Sequence, residues 1–408
     1  MKILHVISQA PDFTGSGKFI QQIIAHSRNK GYDNFLVAGV QGDFTLPPGL
    51  MAADHCAFVR FDGKDLDFPI PGMSDVMPYE SRVFATLRRH ELTAYHQAFE
   101  TKIRQAINRF KPDIIHTHHL WIVSAIARRL STGIPMVTSC HGTCLRQHVL
   151  CPEISGRITT DLSQLDHVIA LSQSQKQEIV RAIGTDPQSI HVVSGGYNDA
   201  CFFHAPKAFD GVVDLVYAGK LSAAKGVPWL LNSLAKIRHL PFRLHLAGNS
   251  SDREKARCLS LAGMLKEKVI YHGPLSHEDL GRLLRNAHVF VLPSFYEGLP
   301  LVLMEALACG CRLVTTALPG VMELLAGDDN PMVRLLELPP LETIDTPFKA
   351  DMPELEDRLA AVLEQTIHDV QTLAEPDWDY ACTKSFPYTW EKIFSKIDQV
   401  YKKASIFS

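Results

Sequence analysis

The sequence predicts an α/β protein made of two doubly wound parallel sheets, and three observations predict it. Short apolar runs alternate with longer helix-period runs almost throughout, the pattern of parallel strands joined by crossover helices. The rhythm breaks once, at Ser194-Gly195-Gly196-Tyr197-Asn198-Asp199 with Pro206 and Gly211 behind it, and then restarts. A length of 408 residues also exceeds what one hydrophobic core usually organises. The expected division is 1–198 and 199–388, with a last helix over 389–408.

In the first domain the strands read as Ile3 to Ile7, Phe35 to Ala38, Asp113 to His116, Pro135 to Ser139, His167 to Leu171 and Ile190 to Val193. Gly15-Ser16-Gly17-Lys18 follows the first strand and opens a helix, so its glycines can bring backbone N–H groups close to an anion. It lacks both the Walker spacing and the third glycine of the dinucleotide fingerprint. From Phe58 to Phe110 runs an insertion rich in Pro and aromatics that passes into a helical segment. Between Arg82 and Lys111 this segment holds seven Lys or Arg against two Glu, a solvated face or a contact for an anionic acceptor or membrane surface. His118 and His119, and then His141 with Gly142 and Thr143, follow strands and point to the ligand end of the sheet.

The second domain repeats the pattern with Asp214 to Ala218, Arg243 to Ala247, Lys268 to Tyr271, His288 to Leu292 and Arg312 to Thr315. Its first strand leads into Ala218-Gly219-Lys220-Leu221-Ser222-Ala223-Ala224-Lys225-Gly226 and a helix from about Pro228. Two lysines at a strand end are placed to neutralise a diphosphate, and a fixed cation favours a transition state in which a phosphate leaves. The stretch SFYEGLPLVLMEALACG reads as a loop and then a helix from Pro300 to Cys309, with Gly310 just past its end. Glu297 stands in that loop before Gly298 and Leu299, and Glu305 stands about 9 Å along the expected helix. A helix N-terminus favours phosphate whereas carboxylates repel it, so the two Glu are expected to accept hydrogen bonds from hydroxyls on either side of an anion. The last amphipathic stretch, Trp390 to Ala404, has an apolar stripe of Ile393, Phe394, Ile397, Val400 and Tyr401.

Composition narrows the class. Hydrophobic residues at 46% and charged residues at 21% are globular values. A formal net charge of −3 argues against a protein-wide nucleic-acid footprint. No signal-peptide core or run of 18 apolar residues is present, so a soluble, cytoplasmic protein is expected. Nine scattered cysteines read as reduced thiols. The Cys140, His141, Cys144, His148, Cys151 cluster has metal-ligand residue types at a spacing that matches no common zinc pattern, and the triplets Asp65/Asp67 and Asp377/Asp379 lie off the strand ends. No metal and no bound cofactor is expected, and nothing in the sequence sets an oligomeric state.

Taken together, the Gly loop, PDIIHTHHLW, PMVTSCHGT, AGKLSAAKG, VLPSFYEGLPLVLMEALACG and TWEKIFSKIDQVY resemble family 4 of the retaining glycosyltransferases along the whole chain. The resemblance implies the GT-B fold, two Rossmann-like domains facing across a cleft, with a nucleotide-diphosphate sugar as co-substrate and a carbohydrate, lipid-linked or small-molecule acceptor. It implies Glu297 on the transferred sugar, Glu305 on the ribose, Lys220 and Lys225 on the diphosphate, His141 beside the donor sugar, and Gly15, Gly17, Gly298 and Leu299 around the phosphates. Lys220 stands where the family usually has Arg, which removes a bidentate fork. The last helix is expected to pack back on the first domain, and segment 82–111 offers a peripheral contact at the inner face of a membrane. The implied chemistry is a same-face displacement in which the leaving phosphate takes the acceptor proton. A nucleotide-sugar epimerase on the same scaffold and a dinucleotide-dependent oxidoreductase are the alternatives.

Overall fold

The structure, a computed structural model, describes residues 1–12, 14–74, 77–325, 330–372 and 375–406. It parts into two units, Met1–Gly195 with Trp390–Ser408, and Gly196–Thr389.

The first unit runs β1 (Lys2–Ile7), α1 (Gly15–Asn29), β2 (Asp33–Val40), β3 (Cys56–Arg60), the two-residue strands β4 (Pro71–Gly72) and β5 (Arg82–Val83), and α2 (Arg89–Phe110). It continues through β6 (Ile114–His118), α3 (Ile122–Leu130), β7 (Met136–Cys140), α4 (Cys144–Leu150), α5 (Pro152–Ser163), β8 (His167–Ala170), α6 (Gln173–Ile183) and β9 (Ile190–Val192). Seven strands form one parallel sheet in the order β3-β2-β1-β6-β7-β8-β9. The chain moves outward from β1 through β2 and β3, then returns to the other side of β1 with β6. The order of strands therefore reverses between β1 and β6, and a doubly wound sheet opens its ligand crevice beyond the strand ends at such a point.

Both faces of this sheet are covered, which is why β1 reads from Ile3 to Ile7 as an apolar run broken only by His5. Leu4 and Val6 join Phe35, Val37, Tyr95 and Phe99 in one core. On the opposite face Ile3 packs with Ile114, Val137 and Ile169.

The second unit runs β10 (Val213–Ala218), α7 (Val227–Lys236), β11 (Phe242–Ala247), α8 (Asp252–Ala262), β12 (Val269–Gly273), α9 (His277–Asn286), β13 (Val289–Leu292) and α10 (Val302–Ala308). Then follow β14 (Arg312–Thr316), α11 (Pro319–Leu325), β15 (Val333–Leu336), α12 (Met352–Thr372) and α13 (Trp378–Ser385). The sheet order is β12-β11-β10-β13-β14-β15, again parallel throughout, so the reversal falls between β10 and β13.

The last helix, α14 (Trp390–Ile406), belongs to the first unit. Trp390, Ile393, Phe394, Ile397, Val400 and Tyr401 enter the core of Ile3 and Ile114. Asp398, almost fully buried, is held by Lys30 Nζ and Tyr32 OH at 2.7 Å and by Lys402 Nζ at 2.8 Å. The three donors hold its carboxyl below the usual range against the opposing effect of burial.

Besides the two-residue pair β4 and β5, two strands of the main sheets escaped the sequence reading. β3 lies at the start of the expected insertion and β15 at a sheet edge, and both are half-buried rather than continuously apolar. No helix among the described residues is long and apolar enough to cross a membrane.

Candidate functional site

The second unit assembles its loops at the β10/β13 reversal through glycines that no other residue could replace. A Cβ on Gly226, which has φ +68°, would lie 1.9 Å from the Pro293 carbonyl oxygen, and one on Gly320 would lie 1.6 Å from that of Gly298. Backbone therefore touches backbone between the loop after β10, the loop after β13 and the start of α11. Phe295 N–H donates to Ala224 O at 2.9 Å, and the Phe295 ring stacks on Trp229 of α7. These contacts carry Lys225 and Glu297 to one place.

Lys225 Nζ lies 2.9 Å from Glu297 Oε2 and donates to Tyr296 O at 3.1 Å. The other oxygen, Glu297 Oε1, accepts from Ser294 Oγ at 2.7 Å. Ser294 is fully buried at the end of β13, and its carbonyl accepts from Thr316 Oγ1 at 2.6 Å. The sequence reading missed Ser294, Gly226 and Gly320. Their only signal is a small residue next to a strand end or a helix start.

Lys220 is exposed and has no ion-pair partner among the described residues, and its carbonyl accepts from Tyr217 OH at 2.6 Å. Among the described residues no acceptor meets the N–H of Gly298 or Leu299, so both remain available.

The expected helix needs a correction. α10 begins at Val302 rather than Pro300, and Glu305 stands in its first turn rather than well along it. Leu303 and Met304 N–H bond back three residues to Pro300 and Leu301, and Glu305 N–H also bonds to Leu301, so the tight entry turn occupies N–H groups that the first turn of α10 would otherwise leave free. Glu305 makes no side-chain hydrogen bond or ion pair among the described residues. Burial pushes its carboxyl up to about 7.

In the first unit, Thr14 caps α1 by accepting from Gly17 N at 3.0 Å, and Gln9 Nε2 braces Thr14 Oγ1 and Ser16 Oγ at 2.8 Å each. A Cβ on Gly17 would lie 2.1 Å from Asp12 O, whereas one on Gly15 would meet nothing within 4 Å. Gly17 thus answers to the loop's own backbone, and Gly15 leaves open space.

Five histidines line one region of this unit. His118 ends β6, His119 follows with φ +77°, and His141 follows β7. His141 stacks on His118 with ring centroids 5.9 Å apart and meets Phe19 edge-on at 5.1 Å. His5 and His116 are cross-strand neighbours on β1 and β6. Among the described residues neither ring nitrogen of His118 has a partner, nor does His141 Nε2. Burial first, and neighbouring imidazoles second, hold His116, His118 and His141 well below the ordinary histidine range, so they stay neutral.

Of the residues weighed as ligands, His148 uses both ring nitrogens, on Ser155 and on the Leu120 carbonyl, and the nine cysteines are unpaired. A different set, His5, His116 and His118, brings ring nitrogens within 4.8 Å of one another, but His116 spends both of its own on Tyr401 and Ser139. Asp65 accepts from Arg60 N, and Asp377 caps α13, so the acidic triplets do structural work. In segment 82–111, Arg82 pairs with Glu91, Lys102 with Asp65 and Arg104 with Glu100.

Comparison with known proteins gives a family and a fold. The family profile described as "Glycosyl transferases group 1" matches residues 202–332, and "Glycosyltransferase Family 4" matches 59–200. Glycogen synthase of Mycobacterium tuberculosis is 30% identical over 225 residues, covering 52% of this chain and 54% of that protein. The chain spans about half the length of this curated relative. A glycosyltransferase structure from Rickettsia africae superposes with TM-score 0.71 at 15% identity, over 100% of this chain and 99% of its own. Anabaena HepE in complex with UDP-glucose superposes with TM-score 0.65 at 17% identity, over 99% and 100%. These superpositions show the GT-B-like fold of two parallel α/β sheets.

Proposed function

The chain belongs to the group 1 glycosyl transferases of family 4, and from that premise we propose that it moves a sugar from a nucleotide-diphosphate donor to an acceptor hydroxyl with retention of anomeric configuration. The observation that carries the reading is the convergence of Lys225, Glu297 and the free N–H groups of Gly298 and Leu299 at the β10/β13 reversal. Cations and backbone dipoles there favour a departing diphosphate, whose negative charge grows in the transition state. Lys220 adds a second cation. Glu297 accepts from hydroxyls of the transferred sugar, and Glu305, unpartnered and half-buried, from the ribose.

His141 is assigned to the donor sugar as a neutral hydrogen-bond partner, in keeping with its depressed basicity. Gly15 and Gly17 are assigned to the loop that meets the phosphates. A transfer through a covalent glycosyl-enzyme would need a carboxylate opposite Glu297, and the site residues named here supply none. The leaving phosphate then takes the acceptor proton on the same face of the sugar, and the protein contributes alignment and electrostatics. Arg88, Arg89, Arg109 and Lys111, without ion-pair partners among the described residues, are the groups of segment 82–111 that would meet an anionic acceptor or membrane surface. The donor is read as a hexosyl nucleotide and the reaction as independent of a divalent metal.

Thermal-shift measurements with UDP-, GDP- and ADP-sugars test the premise. A bound donor at about 100 times its dissociation constant adds about 2.7 kcal/mol, a rise of several degrees. The proton coupling at the anomeric carbon of the isolated product tests the mechanism. An α-linked donor is expected to give an α-glycoside, and a β-linked product would overturn the same-face displacement.

A further inference from the structure

We infer that Ser294 keeps Glu297 in place when the donor's diphosphate draws Lys225 away, so that donor binding exchanges an ion pair and turns one carboxylate oxygen over to the sugar. The inference rests on the reading of this site as a nucleotide-sugar site. Glu297 divides its oxygens, Oε1 to Ser294 and Oε2 to Lys225.

The two partners differ in how firmly they are held. Ser294 has a short side chain, is fully buried, and is pinned through its carbonyl by Thr316. Lys225 sits on a flexible four-carbon stem, is about a quarter exposed, and otherwise holds only the Tyr296 carbonyl among the described residues. A diphosphate brings more negative charge than one carboxylate and competes for Nζ. With Nζ gone, Oε2 is free to accept from a sugar hydroxyl while Oε1 stays on Ser294. Without that serine, Glu297 would lose both anchors at the moment it is needed. Ser294 is thus a positioning residue acting through Glu297.

Relief of carboxylate–phosphate repulsion alone would have the same sign, and what marks the exchange is that the gain depends on Lys225. Glu297 restrains Lys225 in the empty site, so neutralising it should strengthen binding of a nucleoside diphosphate that has no sugar. Calorimetric titration of the full chain with UDP, GDP and ADP, and then with hexose conjugates of the base that binds, measures both quantities.

Glu297→Gln is expected to tighten the diphosphate roughly threefold to tenfold, about the size of a partly exposed ion pair, and to abolish the extra affinity that the hexose confers. In a Lys225→Met background the tightening should vanish, because the double-mutant cycle isolates the pair. Ser294→Ala should leave diphosphate affinity within about twofold yet remove most of the hexose increment, and Ser294→Thr should restore it. Three results overturn the exchange: a diphosphate affinity that Glu297→Gln leaves unchanged or weakens, a gain that persists without Lys225, or a Ser294→Ala loss shared equally by diphosphate and conjugate. If none of the three diphosphates binds the unaltered chain, the reading of the site itself falls.

Discussion

The two units end their strands in similar topology but equip those ends in opposite ways. At the β10/β13 reversal the second unit meets charge with charge, Lys225 against Glu297, in loops locked by Gly226 and Gly320. At the β1/β6 reversal the first unit places neutral imidazoles, of which His118 has neither ring nitrogen engaged among the described residues, beside a loop in which a Cβ on Gly15 would meet nothing within 4 Å. A charged pair at modest depth can be held ready by its own Coulomb attraction. An unpaired imidazole at full burial stays in place only by staying neutral, because an uncompensated buried charge is far more costly. On the proposed reading the second unit receives the polyanion, and the first presents uncharged hydrogen-bonding edges.

The largest effect should come from breaking the locked loops. Gly320→Ala puts a methyl 1.6 Å from Gly298 O, backbone against backbone, so the Glu297-Gly298-Leu299 loop or α11 has to move. Loss of nucleotide affinity by about a hundredfold or more is expected, from a misplacement on the order of 1 Å. Gly15→Ala, the matching change in the first unit, adds a methyl that meets no described protein atom within 4 Å, so its cost in affinity should be far smaller and stability equal or slightly raised. Equal affinities for the two variants in calorimetry would erase the contrast.

Lys225→Ala comes next. Its cation meets charge that grows as the phosphate leaves, so turnover should fall by about 10² to 10³ while donor affinity falls much less, in part because the empty site no longer has an ion pair to dissolve. His141→Ala, which removes a neutral partner, should cost turnover less than Lys225→Ala does. Steady-state kinetics of both variants ranks the two units, and a Lys225→Ala defect confined to the Michaelis constant would remove its role in the departure of the phosphate.

The same contrast explains how much was legible in the sequence. The alternating apolar runs announced both parallel sheets, because central strands buried on two faces have no polar alternation to obscure them. β3 and β15, at sheet edges, lack that signature. Charged residues such as Lys225 and Glu297 stood out against an apolar background, whereas Ser294 and Gly320 act through contact distances that appear only when distant loops meet. The depth assigned to Glu305 failed for a local reason. Leu299 to Leu301 form a tight turn rather than helix, which a Pro at 300 permits equally well. In the first unit His141 was legible from its strand end, but His5 and His116 looked like ordinary strand residues until β1 and β6 paired in register.

The smallest expected effect, and the one that separates the units most directly, is their response to mild acid. Burial lowers His5 to about 4 in the folded chain, against an ordinary value of 6.5, and His116 and His118 are lowered as well. Below pH 6.5 the unfolded chain takes up protons that the folded first unit refuses, so stability is lost as pH falls from 6.5 toward 4. By pH 5.5 His5 alone accounts for on the order of 1 kcal/mol of that loss. Glu305 works the other way. Its folded value of about 7 exceeds the ordinary 4.5, so the folded second unit takes up a proton first and gains stability as pH falls from about 7 to 4.5. Hydrogen exchange followed by mass spectrometry from pH 7.5 to 5.5, corrected for intrinsic rates, should show β1 and β6 losing protection while α10 holds or gains it. Glu305→Gln should cancel the gain in α10 and leave β1 and β6 unchanged, since a permanently neutral side chain has no proton to take up. If β1, β6 and α10 lost protection together, or if Glu305→Gln left the α10 profile as it was, the opposed titration of the two units would be wrong.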